Sequence, residues 1–308
     1  WSPDSKWIAY SKQQRNHFKS IYAYNMVTKS IIQLTDPLAD AITPVWSQDG
    51  KFIYTLASTN YGLNSGWLDM SSYDPDLTRS LYAISLIKDQ DSPNLPKTDD
   101  ETPNKAKEKD KINDKINVVI DDNNIFDRAI PLKIKEGKYL GLIEGPDKSV
   151  FIFRRDDDGI TLIKYNVEKD ESSTFSKKIN EASVSFDRKN ILFRSGNSWK
   201  IVSTKSAPKK PNSLKMGIKL KVNPKAEYHQ IFKEGWRFMR DFLYVDNTHG
   251  APWDKIYQWY SPWINHVRHR TDLNYVVDIM SGEVAVGHSY VSGGDMPDLN
   301  SVSVGLLG

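Results

Sequence analysis

The chain has 308 residues, long enough for two folding units, and its 39% hydrophobic and 11% aromatic content, with 9 Trp and 15 Tyr, supplies a packed core and excludes global disorder. Its 42 Lys and Arg are interspersed with 39 Asp and Glu, and the net charge of +3 gives no reason to invoke nucleic acid or anionic lipid. With 0 Cys, disulfides, thiol nucleophiles and Cys-ligated zinc are excluded, while the redox compartment stays open. No apolar run approaches the roughly 20 residues that span a bilayer. The opening Trp1-Ser-Pro-Asp4, without Met or a charged-then-apolar leader, reads as a cut end.

The first elements are short strands in a repeat. Trp1-Ser-Pro-Asp-Ser-Lys-Trp-Ile8 and Trp46-Ser-Gln-Asp-Gly-Lys-Phe-Ile53 share the pattern Trp-Ser-x-Asp-small-Lys-aromatic-Ile, each followed by alternating apolar residues, at a spacing of about 45 residues. Such a period carrying strands is the mark of propeller blades, small antiparallel sheets that bury their faces by stacking on neighbours. Asp49-Gly50 predicts a tight hairpin turn, since Gly accepts positive φ cheaply. Ile21–Asn25 and Ile31–Leu34, parted by a polar turn at Thr28-Lys29, are expected to complete a four-strand unit. A weaker copy comes later, with strands at Val150–Phe153, Leu162–Tyr165, Ser183–Asp187, Ile191–Phe193 and Trp199–Val202.

Two stretches punctuate this pattern. Residues 88–115 set 7 Lys against 8 Asp or Glu, contain Pro93, Pro96 and Pro103, and carry almost nothing apolar, so they read as a disordered insert within a blade. Ala207-Pro-Lys-Lys-Pro-Asn-Ser213 ends the strand-like region and marks a boundary. The expected organisation is a partial β-propeller over 1–204, a linker over 205–221 and a helical subdomain over 222–308.

Beyond the linker the apolar period becomes helical. Ile231, Phe232, Trp236, Met239, Phe242 and Leu243 fall on one face of a helix expected from about Ala226 to Tyr244. Pro252 suits the first turn of a second helix carrying Ile256, Tyr257 and Tyr260. A third is expected to be capped by Thr271, to bury Leu273, Val276, Val277 and Met280, and to end at Gly282. The following "GEVAVGHSYVSGGD" reads as a short strand, with His288 sharing a face with Val286 and Tyr290 while Gly287 and Ser289 point the other way.

His288 is the candidate for chemistry. Strand alternation makes Ser289 a poor partner, no G-x-S-x-G elbow is present, and Ser292 lacks an obvious oxyanion hole, so the residues alone favour a structural histidine over a general base. His266-x-x-His269 could place two imidazoles on one side of a helical turn, but its basic surroundings lack a third ligand at a recognised spacing. Neither a P-loop nor a dinucleotide fingerprint occurs, and neither cofactor nor metal is expected.

Taken together, the Trp-Ser-x-Asp-Gly-Lys repeats, "NYGLNSGWLDMSSYD", the charged insert and above all "IFKEGWRFMRDFLYVDNTHGAPWDKIYQWYSPWINHVRHRTDLNYVVDIMSGEVAVGHSYVSGGDMP" closely resemble tricorn-type serine peptidases, the bacterial homologues in particular. The resemblance implies an incomplete TolB-like β-propeller followed by the first core subdomain, a mainly β fold with an α+β C-terminal segment. It further implies that His288 is the general base of a split catalytic tetrad. The nucleophilic serine, the oxyanion partners and the supporting glutamate would lie beyond residue 308, past a PDZ domain, leaving this chain inactive alone. The position before the histidine is an auxiliary Ser in the archaeal enzyme and is Gly287 here, a departure from an identical tetrad. Peptide substrates, a large homo-oligomer, cooperation with downstream aminopeptidases, and a cytoplasmic or, as the alternative, periplasmic location are further implications of the family, with neither nucleic acid nor membrane as partner. The rival reading is a non-enzymatic propeller scaffold in which His288 is structural.

Overall fold

A computed structural model describes residues 1–58, 60, 77–95, 116–209, 211–215, 217–296 and 305. Residues 96–115 of the expected insert lie outside the described residues, as does all of "NYGLNSGWLDMSSYD" except Asn60. The chain divides into two compact units, Trp1–Lys215 and Met216–Gly308.

Among the described residues, the first unit is built from four open antiparallel sheets in chain order. The first comprises β1 (Trp7–Gln13), β2 (Lys19–Asn25) and β3 (Ile31–Gln33). The second comprises β4 (Ile42–Trp46), β5 (Phe52–Ala57), β6 (Ser80–Ser85) and β7 (Ala129–Pro131). The third comprises β8 (Tyr139–Glu144), β9 (Ser149–Asp156), β10 (Gly159–Asn166) and β11 (Glu171–Ile179). The last comprises β12 (Glu181–Val184), β13 (Asn190–Ser195) and β14 (Ser198–Ser203). The first strands of successive sheets are neighbours, β1 beside β4, β4 beside β8 and β8 beside β12, as in stacked propeller blades. Two details differ from the sequence reading. The first sheet has three strands, not four, because β4 pairs with β5. The weaker late copy is two sheets, divided between Ile179 and Glu181.

Strand alternation explains how one sheet serves two cores. Ile53 and Ile84 face the first sheet with Trp7, Ile21, Leu34 and Trp46. Their neighbours Phe52, Tyr54, Leu56 and Ala83 turn the other way, onto Leu142, Val150, Ile152 and Tyr165 of the third sheet. All six residues of β5 are therefore buried. In β9 the switch recurs, with Phe151 leaving that core for Phe175, Ile191 and Phe193 between the third and last sheets.

The Ser-x-Asp repeat is a hydrogen-bonded turn. Ser47 Oγ donates to Asp49 Oδ1 at 2.6 Å and accepts from the N–H groups of Lys51 at 3.1 Å and Phe52 at 2.9 Å. Ser2 does the same with Asp4, Lys6 and Trp7, at 2.6, 3.2 and 2.9 Å. A third copy starts at Ser185, whose Oγ donates to Asp187 Oδ1 at 2.6 Å and accepts from Asn190 N at 3.0 Å. Ser5, Gly50 and Arg188, at matching places, have φ of 60°, 72° and 56°. Burial alone would raise the Asp4 pKa, but hydrogen bonds from Ser2 and from the backbone N–H groups of Val118 and Lys6 hold it below the usual carboxylate value.

Among the described residues, the second unit holds three α-helices around their own core. α1 (Pro224–Phe242) starts where Asn223 accepts from Ala226 N–H and Pro224 occupies the first turn. α2 (Trp253–Tyr260) runs into a 3-10 turn over Ser261–His266. α3 is Arg270–Gly282. Phe232, Trp253, Ile256, Ile264, Leu273, Val276, Val277 and Met280 form the core. Gly235 lets α1 approach α3, since a Cβ there would lie 3.3 Å from Val277 Cγ1. Phe242, expected on the buried face, is exposed and stacks on Phe238 with ring centroids 5.1 Å apart. His269, not Thr271, caps α3: its Nδ1 accepts from Thr271 N–H, while Asp272 Oδ2 accepts from His269 N–H at 2.9 Å in a capping box. Among the described residues no helix is long and apolar enough to cross a membrane.

Candidate active site

The segment after α3 departs from the expected strand. Among the described residues, 283–296 form no ladder with any other segment. An extended stretch needs a partner edge to become a strand, and here the neighbours are helices. The segment is held by side chains instead. Glu283 Oε1 accepts from Tyr260 Oη at 2.5 Å, and this bond, with a smaller contribution from burial, pushes the Tyr260 phenol up to about 12. Val284 is buried, and Val286 and Val291 pack on the helical core. The backbone carbonyl of Val284 accepts from His249 Nδ1 at 2.9 Å. That of Gly293 accepts from Asn274 Nδ2 at 2.9 Å, and Asn274 Oδ1 in turn accepts from Arg270 Nε at 3.1 Å.

His288 lies between these two attachments and is exposed. Its Nδ1 is 3.1 Å from the hydroxyl of Tyr290, itself 82% exposed. The expected pairing of His288 with Tyr290 on one side is present. Val286, assigned to the same side, instead points into the core. The departure from regular alternation is compatible with Ala285, whose φ of 54° turns the chain just before it. Gly287 has open space where a Cβ would stand. Among the described residues, neither a serine hydroxyl nor a carboxylate bonds to His288. If Nδ1 donates its proton to Tyr290, Nε2 is left with a free lone pair, the form a general base requires.

Two other histidines serve the scaffold. His269 is the α3 cap, and His249 bridges Tyr244 and Val284. His266 lines a surface hollow of about 490 Å³ with Pro262, Trp263, Thr271, Asp272 and Tyr275, which does not include His288.

With this architecture in place, sequence comparison decides the family. The model for the tricorn protease second beta propeller domain matches residues 1–205, and that for the tricorn protease C1 domain matches 224–282. The chain belongs to the tricorn protease family. Among curated tricorn relatives, it is 23% identical to the Tricorn protease homolog of Saccharolobus solfataricus, over 100% of this chain and 29% of that protein. It is 24% identical to Tricorn protease homolog 1 of Streptomyces coelicolor, over 95% of this chain and 29% of that protein. The crystal structure of the tricorn protease superposes with a TM-score of 0.70 at 19% identity, covering 95% of this chain and 29% of that one, a likeness of fold. The chain thus spans under a third of those relatives' length. His288 lies six residues past the matched C1 segment.

His249 was missed by sequence reasoning. Its only signal is the run Asn247-Thr-His-Gly250, a turn-prone stretch in which Thr248, His249 and Gly250 adopt φ of 49°, 55° and 80°.

Proposed function

We propose that this chain is the propeller and first core subdomain of a serine peptidase in which His288 is the general base. The observation that carries the reading is an exposed imidazole on a segment tied down on both sides. Unlike His249, whose two ring nitrogens are both engaged, His288 makes no bond through Nε2 among the described residues, which leaves that nitrogen open to an incoming group. In the parent protein, His288 takes the proton of a serine hydroxyl as its oxygen attacks the scissile carbonyl carbon. It then delivers that proton to the amine nitrogen as the C–N bond breaks. The serine, its oxyanion donors and a supporting glutamate come from a part of the parent outside these 308 residues. The stacked sheets admit peptides and exclude folded proteins, and the parent works as a homo-oligomer in the cytoplasm that passes peptides to aminopeptidases.

The test is hydrolysis of a fluorogenic peptide by the full-length parent. His288→Ala is expected to lower kcat by about three orders of magnitude or more, as loss of one member of a nucleophile–base unit does. Ser289→Ala is expected to act far more weakly. Wild-type rates from His288→Ala would sink the proposal.

A further inference from the structure

The side chains that hold 284–293 in place have no role of their own in the reading above, which uses only the fact that the segment is tied down, and their geometry suggests one. Val284 O can only accept, so His249 carries its proton on Nδ1, and in the neutral ring Nε2 accepts from the Tyr244 hydroxyl at 2.8 Å. To reach that carbonyl the imidazole projects from three successive residues with positive φ, two of them not glycine. Such backbone is costly and persists where the surroundings over-determine it. At the far end Asn274, on α3, bonds to Gly293 O, and a Cβ on Gly294 would lie 2.4 Å from the Arg270 guanidinium carbon. The loop is therefore tethered by one side chain from the α1–α2 connection and one from α3, with His288 between them.

We infer that His249 and Asn274 are positioning residues, which fix the two ends of the loop so that His288 is presented in one place. Neither touches a reacting atom. The inference rests on the catalytic reading of His288 for its purpose, but the tethering itself does not.

Two measurements separate these parts. The first uses this chain and follows chymotryptic cleavage after the exposed Tyr290, whose rate tracks the population of loop states open enough to enter a protease. His249→Gly keeps the positive φ and removes the donor; it is expected to speed cleavage roughly threefold to tenfold, as the loss of one net hydrogen bond implies, with the thermal midpoint little changed. His249→Asn, which tolerates the same backbone and offers an N–H near the Nδ1 position, is expected to restore the wild-type rate. Asn274→Ala is expected to act like His249→Gly. An unchanged rate in His249→Gly, or a rate in His249→Asn as fast as in His249→Gly, overturns the tether.

The second measurement is peptide hydrolysis by the full-length parent. His249→Gly is expected to lower kcat several-fold with KM unchanged, and His249→Asn to recover it. Unchanged kcat in His249→Gly, in a parent that His288→Ala inactivates, overturns positioning while leaving the general base standing. Wild-type activity in His288→Ala removes the catalytic reading and with it the positioning role, while the cleavage result still stands for the tether.

Discussion

Trp236 and Trp253 donate their indole N–H groups to each other's backbone carbonyls, both at 2.9 Å. One lies in α1 and the other opens α2, so the exchange joins the two helices across the connection that carries His249. The Trp236 ring also takes the edge of Tyr257 at 5.1 Å and the Arg240 guanidinium at 4.8 Å. Trp253→Phe keeps an aromatic ring in the core and loses one donor, an expected cost of about 1 kcal/mol, while Trp253→Ala opens a cavity and is expected to cost about 3–5 kcal/mol. Urea midpoints of the two variants check the ranking. Equal losses would mean that the N–H bond, not ring burial, dominates.

Ser47 and Ser185 occupy the same turn in different surroundings, Ser47 buried and Ser185 half-buried. Ser47→Ala leaves the buried Phe52 N–H without its side-chain acceptor, while the Lys51 N–H keeps Asp49 Oδ1, and a loss of about 1–3 kcal/mol is expected. At Ser185 water can replace part of the bonding, so Ser185→Ala is expected to lower the thermal midpoint less. The reverse order would show that the turn does not act through these donors.

At Gly50 two constraints coincide. Its φ is 72°, and a Cβ would lie 2.7 Å from Val118 Cγ2. Gly50→Ala is expected to cost more than about 1 kcal/mol through backbone strain and displacement of Val118. Ser5, in the matching place, already pays the φ cost, and Ser5→Gly is expected to stay within about 0.5 kcal/mol of wild type. Denaturant unfolding of the pair discriminates steric from purely conformational causes.

The α3 cap predicts an acid response. Backbone N–H bonds from Arg268 and then His269 hold the Asp272 carboxyl below its usual value of 3.8. A carboxylate depressed in the folded state stabilises above its unfolded pKa and loses that contribution as pH falls through its folded pKa. The thermal midpoint is therefore expected to fall more steeply for wild type than for Asp272→Asn as pH drops from about 5 toward 3. Parallel curves would remove Asp272 from the acid response.

What the sequence made legible was what local bonding controls. The Ser-x-Asp turns close within five residues, so their motif predicts the sheets that follow. The apolar period alone places α1 at about Ala226 to Tyr244, within two residues of its bounds at each end. His269 was passed over because Thr271 is the ordinary capping type and imidazole is not. The misread strand is more instructive. Val284, Val286 and Val291 are apolar because they seat a loop on helices, and alternation over so few residues looks the same whether the partner is a strand or a helical core. Nothing in the pattern around His249 indicated that its ring reaches Val284, a contact made across the whole of α2 and α3.

The connection between β6 and β7 sets the second sheet apart in time. Outside the second sheet, paired strands of the propeller unit are joined by short connections, so each pairing can form soon after its residues meet, whereas within it β5 and β6 are already separated by residues 58–79. Ile84 pairs with Ala129 only after the intervening chain has been drawn into a closed loop, and closure entropy grows with its length. Because Val118 and Ile125 in that same connection complete the core beneath Trp7 and Trp46, the first two sheets cannot finish docking before it closes. The last two sheets carry no such dependence. Refolding should therefore begin at the C-terminal end of the propeller and reach Trp46 last, a sequence of events that the tryptophan emission of the chain is placed to report.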